Sequence, residues 1–354
     1  MFLAWNEIIK NKLRFTLIIG VLMLVAYLVF FLSGLANGLA SLNREAVDKW
    51  DADAIVLTEE SDQSLVQSSF SVDAINAFEA EEVAVLGQLN AIAQAGDQKA
   101  NVSIFGINDD EFIMPEVTEG EKFTGANEVI AGDALKDDGF KLGDILSLSS
   151  TDETLEIVGF TDEARFNAAP VLYTDLETFE QVKFGEAASS ESQISGVAVR
   201  TADISAVTDE EDLAAIETEA FIESLPGYTA QSLTLNFMIY FLFAISSVIV
   251  AIFLYVLTVQ KISMFGVMKA QGIPSGYLAR SVIAQTSILA AVGVAVGLGL
   301  TLLTGAFLPS AVPVSFDIPT MLIYGLVLIV VAILGAVFSV LTIVKIDPLK
   351  AIGG

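Results

Sequence analysis

Residues 15–40 read FTLIIGVLMLVAYLVFFLSGLANGLA and carry no charge. Arg14 closes this run on one side, and Arg44 is the next charge on the other. A helix rises about 1.5 Å per residue, so the run crosses a bilayer core of about 30 Å with length to spare. That feature confines the chain to membrane architectures. Its far end departs from a plain anchor, because Gly34, Asn37, Gly38 and Asn43 bring small and polar groups there. A signal peptide is not expected: the run is too long for a signal h-region and lacks an early small-residue cleavage site.

Composition agrees. The chain has 354 residues, 54% of them hydrophobic, more than an ordinary soluble protein carries. The formal net charge of −27 is segregated, not spread. Outside the block from Glu45 to Tyr228 the only carboxylates are Glu7, Asp317 and Asp347. An acidic polar insert is therefore framed by membrane helices, and its charge disfavours nucleic acid, whose phosphates it repels. Cysteine and histidine are both absent. Disulfides, thiolate or imidazole metal sites, Cys nucleophiles and His triads are thereby excluded.

The chain divides by pattern. Residues 1–14 place Phe2, Trp5, Ile8 and Ile9 at helical spacing, with Asn6, Lys10 and Lys12 opposite. That is a cytoplasmic amphipathic helix on the membrane surface, or an extension of the first span. Spans are expected at 15–44, 233–259, 281–308 and 318–344. The insert occupies 45–232, a cytoplasmic loop 260–280, an outer loop 309–317 and a cytoplasmic tail 345–354. Lys10, Lys12 and Arg14 precede the first span. Lys261, Lys269 and Arg280 lie between the second and third, and Lys345 and Lys350 follow the fourth. The positive-inside rule thus puts both termini in the cytoplasm and the insert outside a plasma membrane.

The expected fold class is an α-helical membrane protein with four transmembrane helices and an α+β extracytoplasmic domain between the first and second. Within the insert, strands are expected at 53–58, 83–86, 102–105, 128–132, 145–149, 155–160, 171–173 and 196–199, and a short helix at 133–139. Residues 209–225 read as an acidic helix, with Leu213, Ile216, Ala220 and Phe221 as its apolar positions. Acidic pairs such as Asp109-Asp110 lack the alternating ligand spacing of a calcium loop and read as solvated surface.

No GxxxxGK[ST], GxSxG or HExxH occurs, so the chain is not read as an enzyme. Three regions remain informative. In the cytoplasmic loop, Met264, Phe265 and Met268 form an apolar edge beside Lys269. It reads as a docking edge for another protein or as a plain hairpin linker. At the outer end of the first span, Gly34 and Gly38 form GxxxG, which permits close approach, and Asn37 adds polarity. At the start of the second span, Tyr228, Gln231, Asn236, Met238 and Tyr240 lie near the outer leaflet. They read as belt residues, or as ring faces, a thioether and a phenol for a flat apolar ligand.

Four stretches, in order, resemble one family. AWNEIIKNKLRFTL is similar to the amphipathic start of FtsX/MacB-type permeases of ABC transporters. EVIAGDALKDDGFKLGDILSL looks like their extracytoplasmic motif, VMKAQGIPSGYL like their cytoplasmic loop, and IDPLKAIGG like their closing segment. One departure is Gln260, where many members carry a charged pair. The resemblance implies a permease subunit with no ATPase motif of its own and no intrinsic cofactor. It further implies a permease homodimer with two copies of a cytoplasmic ABC ATPase, which binds the ATP and drives the helices by mechanotransmission. Met264, Phe265, Met268 and Lys269 would then form the ATPase-coupling edge.

Within the family, YLVFFLSGLANGLASLNRE and the modest insert most resemble the haem-exporter permeases of Gram-positive bacteria, the HrtB type. Haem then becomes the expected transported ligand. Without His or Cys, a protein axial ligand must be an oxygen donor or Met. Glu45 and Tyr228 are the first candidates, followed by Met238 and Tyr173. Phe31, Leu35, Gly34, Gly38, Asn37 and Phe241 are the candidate pocket walls, and no metal-ion site is expected. Export of an antimicrobial peptide, drug or lipid is the transport alternative. An FtsX-like activator of cell-wall hydrolases, which transports nothing, is the alternative of another class.

Overall fold

The structure is a computed structural model that describes residues 12–149, 151–185, 192–260, 262–309 and 312–344. The expected surface helix before Lys12 and the tail 345–354 lie outside these residues. The helices are α1 (Lys12–Trp50), α2 (Ala134–Asp137), α3 (Leu176–Phe184), α4 (Thr218–Ser224), α5 (Tyr228–Gln260), α6 (Ile262–Ala270), α7 (Ser275–Phe307) and α8 (Ile318–Val344). Strands β1 to β7 are Ala54–Thr58, Phe70–Ser71, Glu82–Ala95, Gln98–Ile107, Glu119–Gly120, Glu128–Gly132 and Ile145–Leu148. Strands β8 to β13 are Thr154–Thr161, Arg165–Phe166, Ala169–Asp175, Gln193–Ile194, Gly196–Arg200 and Leu213–Glu217. Contacts divide the chain into two compact units, Met1–Leu39 with Ser232–Gly354, and Ala40–Gln231.

The first unit holds the bulk of four helices, α1, α5, α7 and α8, each long and apolar enough to cross a membrane. Phe15, Ile18 and Leu22 of α1 pack with Val250, Leu289, Ala290, Ala332 and Ala336. In lipid no hydrophobic effect separates helix from solvent, so close packing of small residues matters most. Here α7 lays Gly293 and Gly297 on α1. A Cβ at Gly293 would sit 2.7 Å from Leu22 Cβ, and one at Gly297 would sit 2.8 Å from Ala26 Cβ.

The hairpin between α5 and α7 is shaped by its own sequence. α6 stops at a glycine C-cap: Gly272 (φ +88) donates its N–H to Lys269 O at 3.0 Å, and Ile273 N–H reaches Met268 O at 3.1 Å. This is the double bond of a Schellman motif, with Ile273 and Met268 in one apolar cluster. Pro274, extended at ψ 143, then starts α7.

The second unit is built on one eleven-stranded sheet, ordered β13-β1-β12-β3-β4-β10-β6-β8-β5, with β7 pairing both β3 and β8. The pairings β3–β4, β4–β10, β10–β6, β6–β8, β8–β7 and β7–β3 close a ring, so this half is a small barrel without open edges. Phe140, Phe160, Phe179, Leu172 and Ile104 lie in its core cluster. Strand β3 serves both halves: residues 82–86 pair with β12, and residues 87–95 pair with β4. A minor sheet joins β2 to β11.

The expected strands are present, most of them longer than read from the sequence. The acidic helix at 209–225 is corrected. Residues 213–217 form β13, the strand that flanks β1 at one end of the sheet order, with Ile216 opposite Ile55 and Leu213 opposite Thr58. Only Thr218–Ser224 is helical. The apolar spacing suited a helix, but pairing with β1 outweighs that local pattern.

Candidate functional site

The last turns of α1 lie beyond the apolar run and belong to the Ala40–Gln231 unit. Trp50 packs on Phe105, centroids 5.7 Å apart. Lys49 Nζ donates to Asp162 Oδ1 at 2.6 Å. A tight turn at Asn167 and Ala168 (φ 49 and 64) donates two N–H groups to this helix, to Asn43 O at 3.2 Å and Leu42 O at 2.9 Å. Arg44 was not among the expected site residues, yet it gathers the most partners here. Its Nε lies 2.9 Å from both carboxylate oxygens of Asp48. Nη1 and Nη2 donate to Glu219 Oε1 and Oε2 at 3.0 and 2.8 Å. Nη1 also reaches Tyr228 Oη at 3.2 Å.

Three of the four candidate ligands fall in this unit. Tyr228 opens α5, is 9% exposed and packs in the core cluster that holds Trp50 and Phe221. Tyr173 is 1% exposed, with its ring edge-on to Phe105 at 5.7 Å. Burial first, and the Glu45 charge second, raise the Tyr173 phenol above its ordinary range. Glu45, next to Arg44 on α1, has different charged neighbours. Burial pushes its carboxyl up to about 7; Arg165 and Lys49 pull down, while Asp133 and Glu163 push further up. Glu45 and Tyr173 are therefore electrostatic neighbours, and Tyr173 is a core residue whose coordination requires the aromatic cluster to open.

The remaining candidates lie in the first unit. Met238 and Phe241 are 50% and 65% exposed on α5. Phe31 stacks on Tyr27 at 6.0 Å, and Leu35 and Asn37 are half-buried. Gly34 and Gly38 do serve close approach, but the approaching group is the chain's own outer loop. Ser315 N–H donates to Gly34 O at 2.9 Å, and a Cβ at Gly34 would lie 2.5 Å from the Phe316 ring. As walls of an open pocket these two glycines are corrected: their face is covered.

The coupling edge is corrected in part. Phe265 is 3% exposed and packs with Leu278 and Val282, and Met268 packs against the same cluster. They hold the hairpin together instead of facing outward. Met264 remains exposed, joined by Val267 and Tyr277, which the sequence reading missed. Lys269 is half-buried on the same helix.

A cavity of about 270 Å³ opens in the second unit, lined by Gln63, Gln67, Asn90, Asn167, Phe221 and Leu225 among others. Its walls carry amides, hydroxyls, ring edges, aliphatic groups and the Asp62 carboxylate, and no cationic side chain is among its lining residues.

Comparison with known proteins decides the family. Residues 15–219 match the MacB-like periplasmic core domain, and residues 236–348 match the FtsX-like permease C-terminal domain. The chain belongs to the FtsX/MacB-type ABC transporter permeases. Membership implies a cytoplasmic ATPase as partner. Curated relatives align over the whole permease. A protein of Staphylococcus haemolyticus named "Putative hemin transport system permease protein HrtB" is 26% identical over 100% of this chain and 99% of its own. One of the same name from Staphylococcus epidermidis is 27% identical with the same coverage. A solved extracellular domain, that of the noncanonic ABC-type transporter YknZ from Gram-positive bacteria, aligns at 17% identity with a TM-score of 0.34, over 47% of this chain and 100% of its own.

Proposed function

We propose that this permease exports haem, working as a homodimer with two copies of a cytoplasmic ATPase that supplies ATP-driven motion. The full-length likeness to relatives named for hemin transport carries this reading. The charge bias of the loops supports a plasma-membrane orientation with both termini inside and the Ala40–Gln231 unit outside. Haem is a transported ligand here, not a resident cofactor. Glu45 and Tyr228 are the first axial-ligand candidates; Met238 is an accessible thioether, and Tyr173 follows on opening of its cluster. Phe31, Leu35, Asn37 and Phe241 would supply walls. Met264 and Lys269 would meet the ATPase.

A haemin titration of the purified full-length permease in detergent, followed through the Soret band, tests the reading. Saturable binding is expected, weakened by Glu45→Gln, Tyr228→Phe and Met238→Ala in combination. Growth of a deletion strain separates the alternatives. Sensitivity to haem alone supports haem export, sensitivity to peptides or drugs supports the other transport reading, and a division defect without toxin sensitivity supports the hydrolase activator.

A further inference from the structure

The 270 Å³ cavity of the Ala40–Gln231 unit has a neighbour of about 370 Å³, and Asn90, Phe166 and Asn167 line both. Strand β3 is broken open at this point. On its edge away from β4, pairing with β12 stops at Leu86 and pairing with β7 stops at Ala93. Two serines cover the flanks of the break. Gln88 N–H donates to Ser195 Oγ at 2.9 Å, and Ile92 N–H donates to Ser149 Oγ at 3.1 Å. Main-chain groups alternate sides along a strand, so Asn90, midway between the two, turns its own N–H and C=O to the same edge. Neither group meets a partner among the described residues. The Asn90 side chain is held as well: its Oδ1 accepts Gln88 Nε2 at 2.9 Å and Ser103 Oγ at 3.4 Å, which leaves Nδ2 as a donor. Asn167 adds an amide oxygen, Oδ1, that is buried with no hydrogen-bond partner among the described residues. Buried polar atoms are seldom left so.

The break is one residue long, so it offers one main-chain donor and one acceptor. A peptide strand added to a sheet needs a longer open edge, and here serine hydroxyls already hold Gln88 and Ile92 on either side. A single amide group satisfies the break. Around it, Gln63, Gln67, Asn101 and Asn167 line the cavities, each with a donor and an acceptor on one planar group. Neighbouring hydroxyls, which also donate and accept, pair with such groups. Asp62 is the one charged side chain among the lining residues, so the cavities favour an uncharged ligand over an anion. We propose that the adjoining cavities bind an acetamido sugar, whose N-acetyl group pairs with the main chain of Asn90 and whose hydroxyls meet the surrounding amides. The site is independent of the haem reading. It also touches the transport helix, because Asn167 N–H holds Asn43 O of α1 at 3.2 Å.

Saturation-transfer NMR on the full-length permease, in a detergent without a sugar headgroup, tests this with three probes. They are N,N′-diacetylchitobiose, cellobiose (the same linkage with hydroxyl in place of acetamido) and N-acetyl-trialanine amide. Saturable transfer to the acetyl methyls of the first is expected, with cellobiose weaker by about fivefold or more, the share of one net hydrogen bond. Asn90→Ala with Asn101→Ala should weaken the acetamido probe by a similar factor while the melting curve stays put. If that pair disturbs folding, Gln67→Ala, at an exposed lining position, carries the same expectation. No saturable transfer from the disaccharide, equal transfer from cellobiose, or binding of the peptide alone overturns the assignment. Binding of the acetamido probe that is unchanged in the folded variants overturns its placement in these cavities. Each result leaves the haem titration unaffected.

Discussion

Arg44 holds Glu219 through two near-parallel hydrogen bonds, 3.0 and 2.8 Å long, across 175 residues of sequence. The fork ties the outer turns of α1 to α4, and through Tyr228 to the first turn of α5. Both ends of the chain segment that forms the Ala40–Gln231 unit are therefore fastened at one guanidinium. Lysine keeps the charge but not the planar fork.

The Arg44–Glu219 pair should show a measurable coupling. Glu219 is more than half exposed, so solvent screens the pair, and about 1 kcal/mol is expected from a double-mutant cycle of Arg44→Gln with Glu219→Gln. Thermal or denaturant unfolding of the detergent-solubilised protein measures it. Arg44→Lys should recover less than half of the loss. Full recovery by lysine would show that charge alone, not the fork, is at work.

Glu45 makes stability depend on pH. Its carboxyl titrates near 7 in the folded chain against an ordinary 4.5, so folding favours the protonated form. The associated stabilisation is complete below about pH 4.5 and is lost as pH rises through 7. Glu45→Gln mimics the neutral form at every pH. Its melting temperature should exceed that of wild type at pH 8, and the gap should close by pH 5. A gap of equal size at both ends would mean that Glu45 is not the titrating group.

In the cytoplasmic hairpin, packing and docking separate by residue. Phe265→Ala empties a core position and should cost about 3–5 kcal/mol. Met264→Ala touches an exposed side chain and should change stability by less than about 0.5 kcal/mol. If this face meets the ATPase, Met264→Ala with Val267→Ala should lower permease-stimulated ATP hydrolysis while the melting curve stays put. Unaltered hydrolysis would move the contact elsewhere.

The sequence shows some of this architecture plainly and conceals the rest. Four spans are legible because length and missing charge suffice, and Gly272-Ile273-Pro274 announces the hairpin stop. The strand at Leu213–Glu217 is concealed, since its identity depends on Ala54–Thr58, some 160 residues earlier, offering a pairing edge. The barrel closure is concealed for a similar reason: nothing in Glu82–Ala95 says where one partner strand gives way to another. At the candidate site, Glu45 and Tyr228 were visible as polar groups at span ends. Arg44 was visible too, as the first charge after the apolar run, but its partners lie far along the chain. The GxxxG at Gly34 predicted close approach correctly, but not that Phe316 and Pro313 would supply it.

A second GxxxG, at Gly293 and Gly297, gives the sharpest structural test. A Cβ at Gly297 would lie 2.8 Å from Ala26 Cβ and 2.9 Å from Met23 O, so a side chain there must push α1 away at its main chain. Gly299, on the same helix, has nothing within 4 Å of its Cβ position. Both sites share the same helix and the same intrinsic gain from losing a glycine. Gly299→Leu should therefore fold to the same monodisperse yield in detergent, within about 0.5 kcal/mol of wild type. Gly297→Leu should lose about 1–3 kcal/mol or more through overpacking and lower the yield sharply. Equal behaviour of the two variants would mean that α7 does not rest on α1 at this point, and the packing described for the membrane unit would have to be redrawn.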